Sequence, residues 1–338
     1  MHRRPVIPSF LTDPMAKNDQ IINIGLPLPS RAPHAVSERP DWQQAAPVWI
    51  DKALAYSQSL PSGGWYVVDS SEQIGTKPRP YRICGEDWVA WRHQGEVRFA
   101  PASCPHLGAD LACADVVEGK LRCPWHGLLL GADGHGKWRL QPTFDDGTLV
   151  WVQLGDDADD KPPRLAPRPA VSIDGVIRQE AVCEPEDVIA NRLDPWHGVH
   201  FHPHSFTRLK ILEMTPEIIT IRVAYRVIGP ICVEVDATFH CPDPRTIVMT
   251  IIAGDGKGSV VSTHATPIEA GRTAVVEATF ATSERVGFRY ARLASGITKK
   301  FIEARARRLW VEDAEYAERR YKVRASKAKD AKRRLPKV

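Results

Sequence analysis

The chain has 338 residues, 43 % hydrophobic and 25 % charged, room for two domains of ordinary size and a composition typical of globular proteins. No run reaches the roughly 18–20 uninterrupted apolar residues of a membrane helix, and no apolar run follows the N-terminal arginines. Neither a transmembrane segment nor a secretory signal is therefore expected, and the expected location is the cytoplasm. The formal charge of +4 is uneven: residues 299 onward hold 15 Lys and Arg against 6 Asp and Glu. No aromatic–basic interleaving accompanies that excess, so nucleic-acid binding is not expected.

Residues 1–45 are rich in Pro, Arg and Ser and read as an irregular or wrapping arm. Residues 41–60 predict a helix capped by Asp41, with Val48, Trp49, Ile50 and Leu54 at helical spacing and a stop at Pro61. From Gly63 to about Leu165, the runs WYVV, YRIC, WVAW, VRFA and VWVQL are separated by Gly, Pro and Asp clusters. That is the pattern of a small antiparallel β-domain. An acidic and then proline-rich stretch, 156–169, reads as a linker. Residues 184–199 predict a helix. Six β-branched runs follow between Leu209 and Ala281, set off by turns such as Ile228-Gly229-Pro230 and Cys241-Pro242-Asp243-Pro244. They predict a twisted antiparallel sheet. A long helix is expected from Val286 to about Ala325. The expected organisation is an arm and helix over 1–62, a β-domain over 63–165, a second domain over 171–325 and a basic tail over 326–338.

Seven cysteines, scattered through a long chain, argue for metal binding by a subset and against a disulfide framework. Two of them fall with histidines, in Cys104-Pro105-His106 and, sixteen residues later, Cys123-Pro124-Trp125-His126. A zinc finger pairs cysteine with cysteine and histidine with histidine. Here each short pair mixes the two, which suits a [2Fe-2S] centre with two thiolates on one iron and two imidazoles on the other. Zinc is the competing occupant. Gly108 and Gly127 follow the histidines, as if to let the backbone approach a cluster closely, and Pro105 and Pro124 stiffen the loops. Cys113 reads as a packing residue. Over residues 63–155 the segment GWYVV…CPHLGADL…CPWHG resembles the Rieske domain of bacterial ring-hydroxylating and related oxygenases.

Residues 191–204 read NRLDPWHGVHFHPH, four histidines within eight positions. Asp194 stands three before His197, and four residues separate His197 from His202. Two imidazoles and a carboxylate on one face of Fe(II) would leave the other face open. Spacing alone does not reject His200, and His204 follows on an irregular segment. The resemblance to the oxygenase family selects His197 and His202. On the C-terminal helix, Ile302, Ala306, Leu309, Asp313 and Ala317 recur at steps of four, three, four and four, so Asp313 falls on the apolar stripe. A buried carboxylate needs a cation or a metal, and family members place their third ligand on such a helix. Glu312, one position off the stripe, is one competing reading. Pairing of Asp313 with Arg308, Arg319 or Arg320 is another.

The resemblance implies more. Asp194 would bridge His197 to His126 of a neighbouring subunit in a head-to-tail homotrimer, and Asn191 would lie near the iron. The fold would be α+β: an all-β Rieske domain, then a helix-grip (START-like) antiparallel sheet closed over a long C-terminal helix. The activity would be oxygenation by O2, with electrons from a ferredoxin or flavin reductase, since the chain has no Rossmann or flavin motif. The substrate would be a hydrophobic small molecule hydroxylated or demethylated. The single-chain branch acting on steroid, terpenoid, carotenoid or chlorophyll-type compounds is the nearer likeness; an aromatic substrate also fits. The competing function is an electron-transfer protein whose second domain binds a ligand without oxygen chemistry.

Overall fold

The computed structural model describes residues 22–23, 46–155, 158–228 and 231–334. After β1 (Ile22–Asn23), helix α1 spans Pro47–Ser59. It begins later than expected, at Pro47, whose missing N–H costs nothing in a first turn. The expected cap, Asp41, lies outside the described residues.

Nine short strands follow: β2 (Trp65–Ser70), β3 (Arg79–Ile83), β4 (Glu86–His93), β5 (Glu96–Pro101), β6 (Asp115–Val117), β7 (Lys120–Arg122), β8 (Leu129–Leu130), β9 (Thr143–Asp145) and β10 (Leu149–Gln153). They form three antiparallel sheets, β2-β10-β9, β3-β4-β5 and β6-β7-β8. The last is too short and polar to stand out in the sequence. Trp91 and Phe99 are fully buried between them. The Trp91 indole satisfies its one donor on Gly119 O at 3.0 Å, as a buried indole requires.

The second half opens with β11 (Ile173–Ala181), helix α2 (Pro185–Arg192) and the short helix α3 (His197–Phe201). The helix expected over 184–199 is thus two. Pro195 interrupts it, because proline disfavours the helical conformation of the residue before it. Then come β12 (Phe206–Met214), β13 (Ile219–Ile228), β14 (Ile231–Asp243), β15 (Thr246–Gly254), β16 (Val260–Glu269) and β17 (Arg272–Ala281). The sheet order is β11-β17-β16-β15-β14-β13-β12, antiparallel throughout, with β1 added parallel to β14. The expected turn at 241–244 is shifted, because β14 continues to Asp243; that at 228–230 falls partly outside the described residues.

The final segment is also two helices, α4 (Val286–Leu293) and α5 (Ser295–Arg334). Helix therefore runs on through much of the expected tail. Helix α5 crosses β11 at Gly175, where a Cβ would come within 3.0 Å of the Ile302 side chain. A side chain there would make the Ile302 and Glu303 side chains give way by a few tenths of an ångström.

Alternation along β16 divides the sheet into two buried faces. Val260 and its β17 neighbours Val276, Ala278 and Phe280 pack against Val67, Leu149 and Trp151 of the small sheets. On the opposite face Ala265, Val275, Ile247 and Ile251 pack with Trp310 and the helices. No described helix is long and apolar enough to cross a membrane.

Candidate metal centres

The two Cys–His loops adopt the same turn. Cys104 N–H donates to Ala109 O and Gly108 N–H returns to Cys104 O, both at 2.9 Å; Cys123 with Leu128 and Gly127 repeats this at 2.9 Å for each bond. Gly108 and Gly127 have φ of +79° and +72°, in the left-handed region. The turn itself therefore demands glycine, whatever approaches it. The thiols are buried and hydrogen-bonded to one another, and backbone N–H groups of residues 106–107 and 125–126 point at them. The imidazoles of His106 and His126 lie at the surface, ring centroids 4.8 Å apart and planes at 72°.

Cys104, His106, Cys123 and His126 fit a binuclear cluster better than a single ion. Among the described residues, only His197–His202–Asp313 and His202–His204–Glu312 bring three such donor atoms within 4.8 Å of one another. No three of the loop donors do, whereas the ligands of one zinc, each roughly 2.0–2.3 Å from it, must crowd closer. Two thiolates inside, two imidazoles outside and N–H groups aimed at sulfur are what a [2Fe-2S] group needs.

The second centre draws on elements far apart in the chain. Asp313 Oδ1 lies 3.0 Å from His197 Nε2 and 2.9 Å from His202 Nε2. The Asn191 amide donates to the same oxygen at 3.1 Å. The outer nitrogen of each ring is engaged. His197 Nδ1 donates to the carbonyl of Asp194, and His202 Nδ1 to Glu312 Oε2 at 2.5 Å. Neutral rings held so present lone pairs at Nε2, and both face a carboxylate oxygen. Three acceptors converging in a buried site call for a cation. Two imidazoles and one carboxylate with an open side suit ferrous iron. Burial works against charge on Asp313; when the rings also carry protons at Nε2, the hydrogen bonds from His197 and His202 hold its carboxyl well below the usual range. In that protonated state burial pushes His202 down, and Asp313 and Glu312 more than reverse it.

The remaining candidates separate. His200 is exposed, lies 5.8 Å from the Trp196 ring and is outside the triad. His204 Nε2 meets Glu312 at 2.8 Å. Arg308 approaches Glu312, and Arg320 pairs with Asp187, so neither takes Asp313. The Asp194 carboxylate accepts the Tyr316 hydroxyl at 3.2 Å and the backbone N–H groups of Trp196 and His197; burial raises its pKa. Within one chain its contact with the His197 ring runs through its carbonyl.

The structure adds partners that sequence patterns did not indicate. Glu312 and His204 back His202; their closeness depends on how the 197–206 loop folds onto α5. Tyr316 could have been found, since it lies one turn beyond Asp313. The triad borders a cavity of about 120 Å³. Its walls are mainly apolar, including Phe206, Leu209, Val223 and Phe239, with Tyr225 and Arg192 as polar exceptions. Arg192 lies 3.5 Å from Glu277 and stacks over Trp310, and its buried Nε has no hydrogen-bond partner among the described residues.

Residues 154–328 match the family described as "Domain of unknown function (DUF5914)", and residues 64–147 match the Rieske [2Fe-2S] domain. The chain is similar to the vanillate O-demethylase oxygenase subunit of a Pseudomonas species, 40 % identical over 76 residues, 22 % of either chain. It is 26 % identical over 201 residues to the chloroplastic chlorophyllide a oxygenase of Chlamydomonas reinhardtii, covering 54 % of this chain and 31 % of that one. The crystal structure of dicamba monooxygenase bound to dicamba shares the fold, with a TM-score of 0.63 at 20 % identity over 82 % of this chain and 92 % of that one. The chain spans from 22 % to 50 % of the length of the curated relatives it matches.

Proposed function

We propose, for a chain that belongs to the family described as Domain of unknown function (DUF5914) and carries a Rieske [2Fe-2S] domain ahead of that segment, the activity of the oxygenase component of a Rieske-type non-haem iron system. It takes electrons from a separate ferredoxin or flavin reductase. With O2 it hydroxylates or demethylates a hydrophobic organic substrate, a reading supported by relatives named as oxygenase components and O-demethylases. The observation that carries it is the convergence of His197, His202 and Asp313 beside an apolar cavity, in a chain that also holds the mixed Cys–His loops.

Cys104, His106, Cys123 and His126 hold the cluster, and His197, His202 and Asp313 hold the iron. When bound, the cluster supplies one-electron transfer and the ferrous ion supplies O2 activation. The Asp194 carbonyl and the Glu312 carboxylate fix the two rings in the Nδ1–H tautomer, leaving both Nε2 atoms free to ligate. The Asn191 amide steadies Asp313. The cavity, about 120 Å³, is near the size that admits a single benzene-like ring, so the part of the substrate beside the triad is compact. Its apolar walls exclude water. The two units run over 63–165 and 171–325, between an N-terminal segment 1–62 and a basic end 326–338. The protein works in the cytoplasm as a homotrimer, with Asp194 of one subunit meeting His126 of the next.

Iron quantitation and electron paramagnetic resonance of the reduced holoprotein test the reading. The expected result is two irons in the cluster and one more per chain, the last lost in Asp313→Ala while the cluster signal persists. Cluster iron alone in the wild-type protein would leave an electron carrier with a ligand-binding second domain.

A further inference from the structure

Helices α4 and α5 carry a second apolar stripe, on the side away from the triad. Val286, Tyr290, Leu293, Ile297 and Phe301 recur at steps of four, three, four and four, and each is between 56 % and 86 % exposed. Ile302, Leu309 and Asp313 turn the other way: Leu309 and Asp313 line the cavity, and Ile302 meets β11. Helix residues on an aqueous surface do not repeat large apolar side chains at this spacing without a partner for that face. The stripe runs along α4, across the break at Ala294 and into the second turn of α5.

Charge identifies the partner. Residues 285–308 contain eight Lys and Arg and one acid, Glu303. Arg289, Arg292 and Lys300 are exposed beside the stripe and make no ion pair among the described residues. A second copy docked symmetrically through this face would set these cations against themselves, and the head-to-tail contact of the proposed trimer engages Asp194 and the cluster loop of His126, on the triad's side of the helices. A negatively charged lipid surface satisfies both features: the apolar row enters the acyl boundary while the basic side chains reach phosphate. We propose that this face of α4 and the start of α5 docks the protein reversibly on anionic membranes. Docking there would bring an apolar cavity to the phase in which apolar molecules concentrate, and it requires nothing of the chemistry at the triad.

Co-sedimentation of the holoprotein with phosphatidylcholine vesicles, with and without phosphatidylglycerol, tests this. Binding is expected only with phosphatidylglycerol and should weaken as salt rises. Leu293→Asp with Ile297→Asp should reduce it by on the order of tenfold or more, since each buried Leu or Ile is worth at least that in partition. Arg289→Glu with Lys300→Glu should reduce it by roughly fivefold or more per site. All four positions are exposed, so cluster absorbance and sedimentation coefficient without lipid should match the wild type. Failure of the wild-type protein to bind anionic vesicles at low salt would overturn the proposal. A change in oligomeric size in either double variant would overturn it too, marking the stripe as a protein interface.

Discussion

The two candidate metal centres are assembled in opposite ways. All four loop donors lie within residues 104–126, and each loop is held by its own backbone turn, the same turn used twice. The triad joins His197 to Asp313 across 116 positions, and a sheet, two helices and a loop must pack before the three atoms meet. One centre depends on local conformation and the other on tertiary structure. Substitutions remote from both should therefore damage the triad and spare the cluster.

The largest effects come from the ligands themselves. Cys123→Ser should abolish the visible absorbance of the cluster and leave the triad able to bind ferrous iron. Asp313→Ala should do the reverse, with a loss of iron affinity beyond the roughly 10–100-fold that outer partners cost. Iron content and the electron paramagnetic signal of each variant check this. Loss of both centres from either substitution would break the comparison.

A remote substitution comes next. Asp187 of α2 is fully buried and bonds Arg324 Nη2 at 2.8 Å and also Arg320, both from α5. This pairing ties the helix that carries Asn191 to the helix that carries Asp313. Asp187→Ala should destabilise the protein by about 3 kcal/mol, the low end for breaking a buried pair because the arginines are partly exposed. Denaturation in urea measures it. Ferrous iron should bind the variant more weakly while the cluster spectrum stays as in the wild type.

The difference in construction also explains what could be read in advance. Cys104, His106, Cys123 and His126 were legible because their spacing is the site. The strands from β12 to β17 were legible from β-branched runs, and Asp313 from its place in a helical period. Strand β11 was not: Gly175 and Gln179 interrupt the apolar face of Ile173, Ile177 and Ala181, and pairing with β17 holds it extended. The break at Ala294 and the continuation of α5 to Arg334 carry no comparable signal. Glu312 looked like a rival to Asp313. Its partnership with His202 and His204 becomes visible only once the histidine loop lies on the helix.

Glu312 sharpens the comparison inside the triad, where His197 leans on a neutral carbonyl and His202 on a carboxylate. A carboxylate behind a ligating imidazole raises its basicity and fixes its tautomer. Glu312→Gln should weaken ferrous-iron affinity by roughly 10–100-fold, measured by competition with a chelator. Equal affinity in wild type and variant would mean that the histidine loop is positioned by packing alone.

The smallest expected effect lies between the two centres. His264 points from β16 toward the small sheets, bonded to Thr246 at 3.0 Å and Ser262 at 3.2 Å, with the Trp151 ring edge-on at 4.9 Å. Burial pushes its pKa down to about 3, with Asp146 raising it and Arg168 lowering it to lesser degrees. The unfolded chain takes up the proton below about 6.5 and the folded one does not until about 3, so stability is lost as pH falls through that window. Between pH 6.5 and 5.5 the loss should be about 1 kcal/mol from this residue, because at pH 6.5 the unfolded imidazole is already half protonated. Urea denaturation followed by tryptophan emission at the two pH values measures it, and His264→Gln should remove that share of the slope. Because the cluster turns are local, cluster absorbance at zero urea should be the same at both values. Bleaching at pH 5.5 in the wild type but not in His264→Gln would show that the loops lean on the large sheet after all.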